Sequence, residues 1–241
     1  MRKCLILCLC VLLLSLLVSQ AFAVEGGHYR VNVMIAYDEE WECTANDFYG
    51  YSAFYFAKLI LTFVNDYFSE LDIRFTVVSV RSWDSDDNPE SDLEMLMEAV
   101  TETNFTSGML TSYPSGVPID ILVAFTGQDI PNCYGRANST LGVVLVRHWY
   151  LGGIYNWQIT DNILQHELSH LYGAEHHYVD RECVMTMYEV WIPFPLNNWL
   201  WRCMLTNEWC EDCRTLIHDN RDLWGVWSPL GGGGGDEECP Y

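Results

Sequence analysis

The chain has 241 residues, half of them hydrophobic and 14% aromatic, so it can bury a sizeable core and is not a disordered polymer. Asp and Glu number 33 against 12 Lys and Arg, a formal charge of −21. That balance argues against a phosphate-tracking nucleic-acid binder and against docking on anionic lipid, and it weakly favours basic substrates.

Residues 1–23 read as a secretory signal peptide. Arg2 and Lys3 form the charged start, Leu5 to Val18 is an apolar run broken only by Ser15, and Ala21-Phe22-Ala23 is an A-x-A cleavage site. The run is short for a membrane span, and no later stretch is long and apolar enough to make one, so a secreted chain without a stable membrane anchor is expected. Cleavage leaves Lys58 as the only lysine. It also leaves Cys43, Cys133, Cys183, Cys203, Cys210, Cys213 and Cys239, an odd set; export favours disulfides, and at least one cysteine must have another fate.

Along the mature chain, His28 to Tyr37 alternates as a strand, and Asn46 to Leu71 is apolar at helical spacing and predicts one long helix. Ile73 to Val80 predicts a strand. Ser91 with Glu94 forms a capping box that opens a helix to about Thr103. Ile119 to Phe125 is an apolar strand ending in Thr126-Gly127, and Val143 to Val146 continues the β pattern. Thr160 to Tyr172 predicts a helix with Thr160 or Asp161 as its N-cap. Beyond Gly173 the pattern is irregular, with Pro193 and Pro195, until a last helix over Asn198 to Leu223. Residues 231–241 read as a Gly-rich linker and acidic tail. This order predicts an α/β (α+β) chain with one twisted mixed sheet and helices packed on it.

The chemistry is concentrated in Gln165-His166-Glu167-Leu168-Ser169-His170-Leu171-Tyr172-Gly173-Ala174-Glu175-His176. His166 and His170, four apart on a helix, present their imidazoles on one face, one turn apart, and can grip one ion. Glu167 points about 100° away and can hold a water beside the metal. Gly173 can take the left-handed conformation that ends a helix and lets His176 return as a third ligand. Three protein ligands leave zinc an open position, the pattern of a catalytic site. From this chain's own composition the full spacing is expected by chance on the order of 3 × 10⁻⁵ times, far below the short H-E-x-x-H alone.

This pattern resembles the metzincins, zinc peptidases marked by H-E-x-x-H-x-x-G-x-x-H and a downstream Met-turn. Cys183-Val184-Met185 fits that turn, with Met185 as a packing floor, and Met187 is the rival. The resemblance implies a metzincin-like catalytic domain over 24–230. Its upper part, to about 173, would carry a five-stranded sheet and the active-site helix; its smaller irregular lower part, 174–230, would carry the C-terminal helix. Tyr134 to Ser139 would be the exposed edge strand, followed by Val143 to Trp149. It implies a secreted zinc endopeptidase acting on protein or peptide substrates, with His166, His170 and His176 on zinc and Glu167 as general base.

Within that group the chain is most similar to archaemetzincins, which carry a Cys after the third histidine, a Cys-x-Met and a later Cys-x-x-Cys. Here His177 stands at the first of these places. The resemblance implies a second, structural zinc on His177, Cys183, Cys210 and Cys213, which leaves Cys43, Cys133, Cys203 and Cys239 for two disulfides. Oxidation of Cys210 and Cys213 into separate disulfides is the alternative.

Other signals are weaker. Asn104 and Asn138 are glycosylation sequons, and Asn104 is the better placed if Asn138 sits on the edge strand. His28, His148 and His218 lack partners at ligand spacing. Tyr188 is a candidate oxyanion-side tyrosine. Two other classes stay open: a zinc-retaining binding module without turnover, which intact Glu167 argues against, and a structural zinc protein, which the open three-histidine set argues against.

Overall fold

The computed structural model describes residues 27–86, 89–112, 115–130, 133–148, 150–151, 154–155, 157–177, 183–186 and 206–229. The expected signal peptide at residues 1–23, the Gly-rich tail, Tyr188, Met187, Cys203 and Cys239 lie outside them. Among the described residues no helix is long and apolar enough to cross a membrane. Contacts separate a small unit, Met1–His28 with Trp227–Tyr241, from a main unit, Tyr29–Val226.

The chain runs β1 (Gly27–Tyr37), α1 (Glu39–Thr44), a π-turn (Ala45–Tyr49), α2 (Ala53–Ser69), β2 (Ile73–Ser82) and α3 (Asp92–Glu102). A small hairpin, β3 (Leu110–Ser112) and β4 (Ser115–Pro118), precedes β5 (Ile121–Thr126), β6 (Gly135–Asn138) and β7 (Val143–Arg147). A second hairpin, β8 (Tyr150–Leu151) and β9 (Ile154–Tyr155), leads into α4 (Trp157–Leu171); α5 (Glu211–Asp219) and β10 (Val226–Pro229) follow.

The sheet is mixed, as expected, in the order β10-β1-β5-β7-β6 with β2 also on β1. The short β10 makes six strands where five were anticipated. β1 pairs in parallel with β2 and β5, β5 pairs in parallel with β7, and β6 runs antiparallel on the outer side of β7. Alternation sorts the strand residues onto two cores. Val33, Ile35, Val123, Phe125, Val144 and Val146 pack with α2 and α4 on one face. Met34, Ala36, Leu122, Ala124 and Leu145 pack with Met95, Leu96 and Ala99 of α3 on the other. A β5 buried along its whole length explains the continuous apolar run read there.

Three helix expectations are corrected. The single helix over Asn46 to Leu71 is broken: Gly50 takes φ 65 and ends the π-turn, and Ser52 restarts the chain as N-cap of α2 by accepting from Tyr55 N–H. The apolar spacing ran on through Tyr51, whose ring is in fact exposed. Helix α4 begins at Trp157, so Thr160 and Asp161 are buried helix residues rather than caps, and the Thr160 hydroxyl pairs with His148 Nδ1 at 3.1 Å. The last helix starts at Glu211, with Cys210 extended at its N-cap. Residues 206–210 before it are non-helical, where the Glu208 carbonyl accepts from Val184 N–H and Trp209 is sunk in the core, and the earlier part of the expected helix, 198–205, lies outside the described residues. The Ser91 cap is as expected, accepting from Glu94 N–H at 3.1 Å.

Candidate active site

Leu164, Leu168 and Leu171 anchor α4 in the core and turn the 166/170 face outward. Ser169 fixes the helix from the buried side: its hydroxyl donates to the Gln165 carbonyl and accepts from Trp209 Nε1 at 2.9 Å. Gly173 adopts φ 87 and ends the helix, with its N–H on the His170 carbonyl, and the chain reverses toward His176.

The three Nε2 atoms converge. They lie 2.8 Å apart for His166 and His176, 3.2 Å for His166 and His170, and 3.0 Å for His170 and His176. His166 Nδ1 meets the Val184 carbonyl at 2.8 Å, and His170 Nδ1 meets the Ala174 carbonyl at 2.7 Å. A carbonyl only accepts, so each Nδ1 carries the proton and each Nε2 turns a bare lone pair to the same point. Facing lone pairs repel unless a cation sits among them. Burial also holds all three imidazoles below their ordinary pKa, His166 down to about 3, which favours the neutral ligand form over a proton. The donor set fits a metal ion.

The Met-turn supplies part of that order. Met185 is fully buried, the carbonyl before it orients His166, and its own carbonyl accepts from His177 N–H. Nothing in the sequence pointed to the Val184 carbonyl, because backbone acceptors carry no residue signature.

Glu167 is 7% exposed and lies on a cleft of about 440 Å³ shared with His170, His176 and β6. Burial raises its carboxyl to about 8, and the Arg136 charge opposes that rise. Gly135, at the start of β6, explains how the carboxylate fits: a Cβ there would stand 2.6 Å from Glu167 Cγ and 2.7 Å from Oε1. Sequence reading passed over Gly135, Arg136 and Asp92, which line the same cleft from an edge strand and a helix start far apart in the chain. Cys133 also lines it, with its thiol pushed up to about 12 by burial and by the Asp92 and Glu167 charges. Asn138 lies on β6 with its side chain turned back onto the Thr140 and Leu141 N–H groups, while Asn104 is exposed in a left-handed turn.

The second cluster also assembles. Ligand atoms of His177, Cys183, Cys210 and Cys213 lie within 4.8 Å of one another, with His177 Nε2 3.5 Å from Cys210 Sγ. The Met-turn brings Cys183, a backbone bridge to Thr186 fixes His177, and the first turn of α5 brings the cysteine pair. Cys183 is 1% exposed and Cys213 6%. Burial raises both thiols, whereas a helix N-terminus and a cation favour thiolate. None of the five described cysteines is in a disulfide.

A mixed sheet with β6 antiparallel at its edge, a helix carrying two histidines that a glycine turn joins to a third, and the turn at the buried Met185 define a metzincin-like metallopeptidase. The chain matches the Reprolysin_5 family model, Metallo-peptidase family M12, over residues 27–190, and it belongs to that family. Among solved structures it is similar to archaemetzincin from Methanopyrus kandleri, with 15% identity, a TM-score of 0.52, and coverage of 80% of this chain and 95% of that one. It is also similar to a zinc-dependent peptidase from Methanocorpusculum labreanum, with 13% identity, a TM-score of 0.51, and coverage of 77% and 99%. At these identities the likeness is one of fold. A search of curated protein sequences finds no match.

Proposed function

We propose that this chain is an exported zinc endopeptidase that hydrolyses protein or peptide substrates. The convergence of three Nε2 atoms beside a buried Glu167 carries that reading. His166, His170 and His176 would hold the catalytic zinc, which when bound supplies Lewis-acid polarisation of a carbonyl and lowers the pKa of water. A substrate strand pairs on the outer edge of β6, where the sheet ends. Glu167 Oε1 takes the proton of a water in the cleft and returns it to the leaving amine nitrogen. His177, Cys183, Cys210 and Cys213 would hold a second zinc in a closed site with a structural role.

Purified protein should contain zinc and cleave a casein-type substrate internally, stop after chelation, and recover when zinc is returned. Fully metallated protein that cleaves no protein or peptide overturns the reading. Export is tested separately by intact-mass analysis of the culture medium, where the N-terminus should lie near Val24. A mass that keeps Met1 to Ala23, found in the membrane fraction, decides for an anchor instead.

Gly135 gives a third test. Its backbone tolerates alanine, since it is not among the positive-φ glycines, and the nearest atoms a Cβ would meet are all in the Glu167 side chain. Gly135→Ala should lower kcat about tenfold or more while zinc content and KM stay near wild type, because an ångström of misplacement is felt in the chemical step. An unchanged kcat would show that Glu167 needs no such room.

A further inference from the structure

We propose that Arg136 forms a carboxylate-binding subsite of the cleft, selecting substrates that carry a carboxylate beside the bond to be cut. The proposal rests on the peptidase reading above and names a feature of its substrate. Arg136 follows Gly135 on β6 and lines the same cleft as Glu167 and His170. Its Nη1 donates to Asp92 Oδ2 at 3.0 Å, and Asp92 is itself fixed because its Oδ1 accepts from Leu93 N–H. The side chains are 48% and 25% exposed, and an ion pair open to water in this way is weak. Asp92 therefore aims the guanidinium more than it neutralises it. A guanidinium has five N–H donors in a planar fork, and Asp92 takes one.

The remaining donors suit a second, bidentate carboxylate. A substrate strand laid on β6 sets one of its side chains across from Arg136, within reach of the cut. Arg136 lines one cleft with Glu167 and His170, so its positive charge acts where the reaction takes place. The chain's −21 charge works in the opposite sense at long range, by favouring basic proteins, but salt screens that field. Contact selectivity is left to Arg136. The carboxylate comes from an Asp or Glu side chain or from the peptide's own C-terminus.

The test uses zinc-loaded protein and one peptide series, with Glu or Gln at each position flanking the cut, each made as free acid and as amide. Wild type should prefer Glu over Gln about tenfold in kcat/KM at one position, or free acid over amide if the C-terminus is the source. Arg136→Gln should bring that ratio near one, and Arg136→Glu should invert it in favour of Gln. A ratio near one in wild type for every pair, or one that survives Arg136→Gln, overturns the subsite. The same ratios are read as Kd by fluorescence polarisation on the zinc-loaded Glu167→Ala protein, which needs no turnover. Selective binding that Arg136→Gln abolishes, with no cleavage by wild type, keeps the subsite and removes the peptidase reading.

Discussion

Glu167→Ala protein should retain its zinc and lose peptide-bond hydrolysis by about 10²–10⁴-fold, the range expected when a general base is removed. The two effects separate because the metal donors and the base occupy different faces of one helix turn. The three Nε2 atoms are oriented by the Val184 and Ala174 carbonyls and by the reversal at Gly173, none of which involves the Glu167 side chain. His170→Ala is the counterpart: it deletes the Nε2 that lies within 3.2 Å of both others, so zinc and activity should fall together. Zinc by elemental analysis and cleavage of a casein-type substrate, measured on the same preparations, check both. Undiminished cleavage by Glu167→Ala would sink the general-base assignment and leave the histidine site standing.

Doubly substituted Cys210→Ser, Cys213→Ser protein should fall from two zinc ions per chain to one and lose at least about 10 °C in Tm. The size of the effect follows from what the cluster joins. His177 and Cys183 come from the chain around the Met-turn, and Cys210 and Cys213 from the first turn of α5, so one ion would tie together two segments that, among the described residues, also meet through the Val184 N–H to Glu208 carbonyl bond. Because the Val184 carbonyl also orients His166, loosening this staple should reach the catalytic histidines. A stoichiometry of one in fully metallated wild type, or disulfides mapped to Cys210 or Cys213, rules the site out.

The histidine site was legible in the sequence because an α-helix has a fixed 3.6-residue period. Residues 166 and 170 must share a face wherever that helix lies, and Gly173 is suited to the left-handed turn that brings back His176. Strands β1, β2, β5 and β7 were legible for the same reason, since alternation and apolar runs are local, whereas β6 was legible through the resemblance. Of the second cluster, the spacing of Cys210 and Cys213 was legible as a C-x-x-C pair, and His177 and Cys183 were joined to it through the resemblance; the structure shows all four together. The break at Gly50 was misread because the apolar spacing ran on through Tyr51, which is exposed, and the start of the last helix because a single apolar side chain such as Trp209 is buried without being helical. The cleft wall was not legible at all. Gly135, Arg136 and Asp92 carry no motif, and only the antiparallel placement of β6 beside β7, with α3 against the sheet, sets them next to Glu167. Local periodicity determined which side chains can grip a metal, whereas the pairing of distant segments decided which backbone carbonyls orient them, where the carboxylate finds room, and which charge faces the substrate.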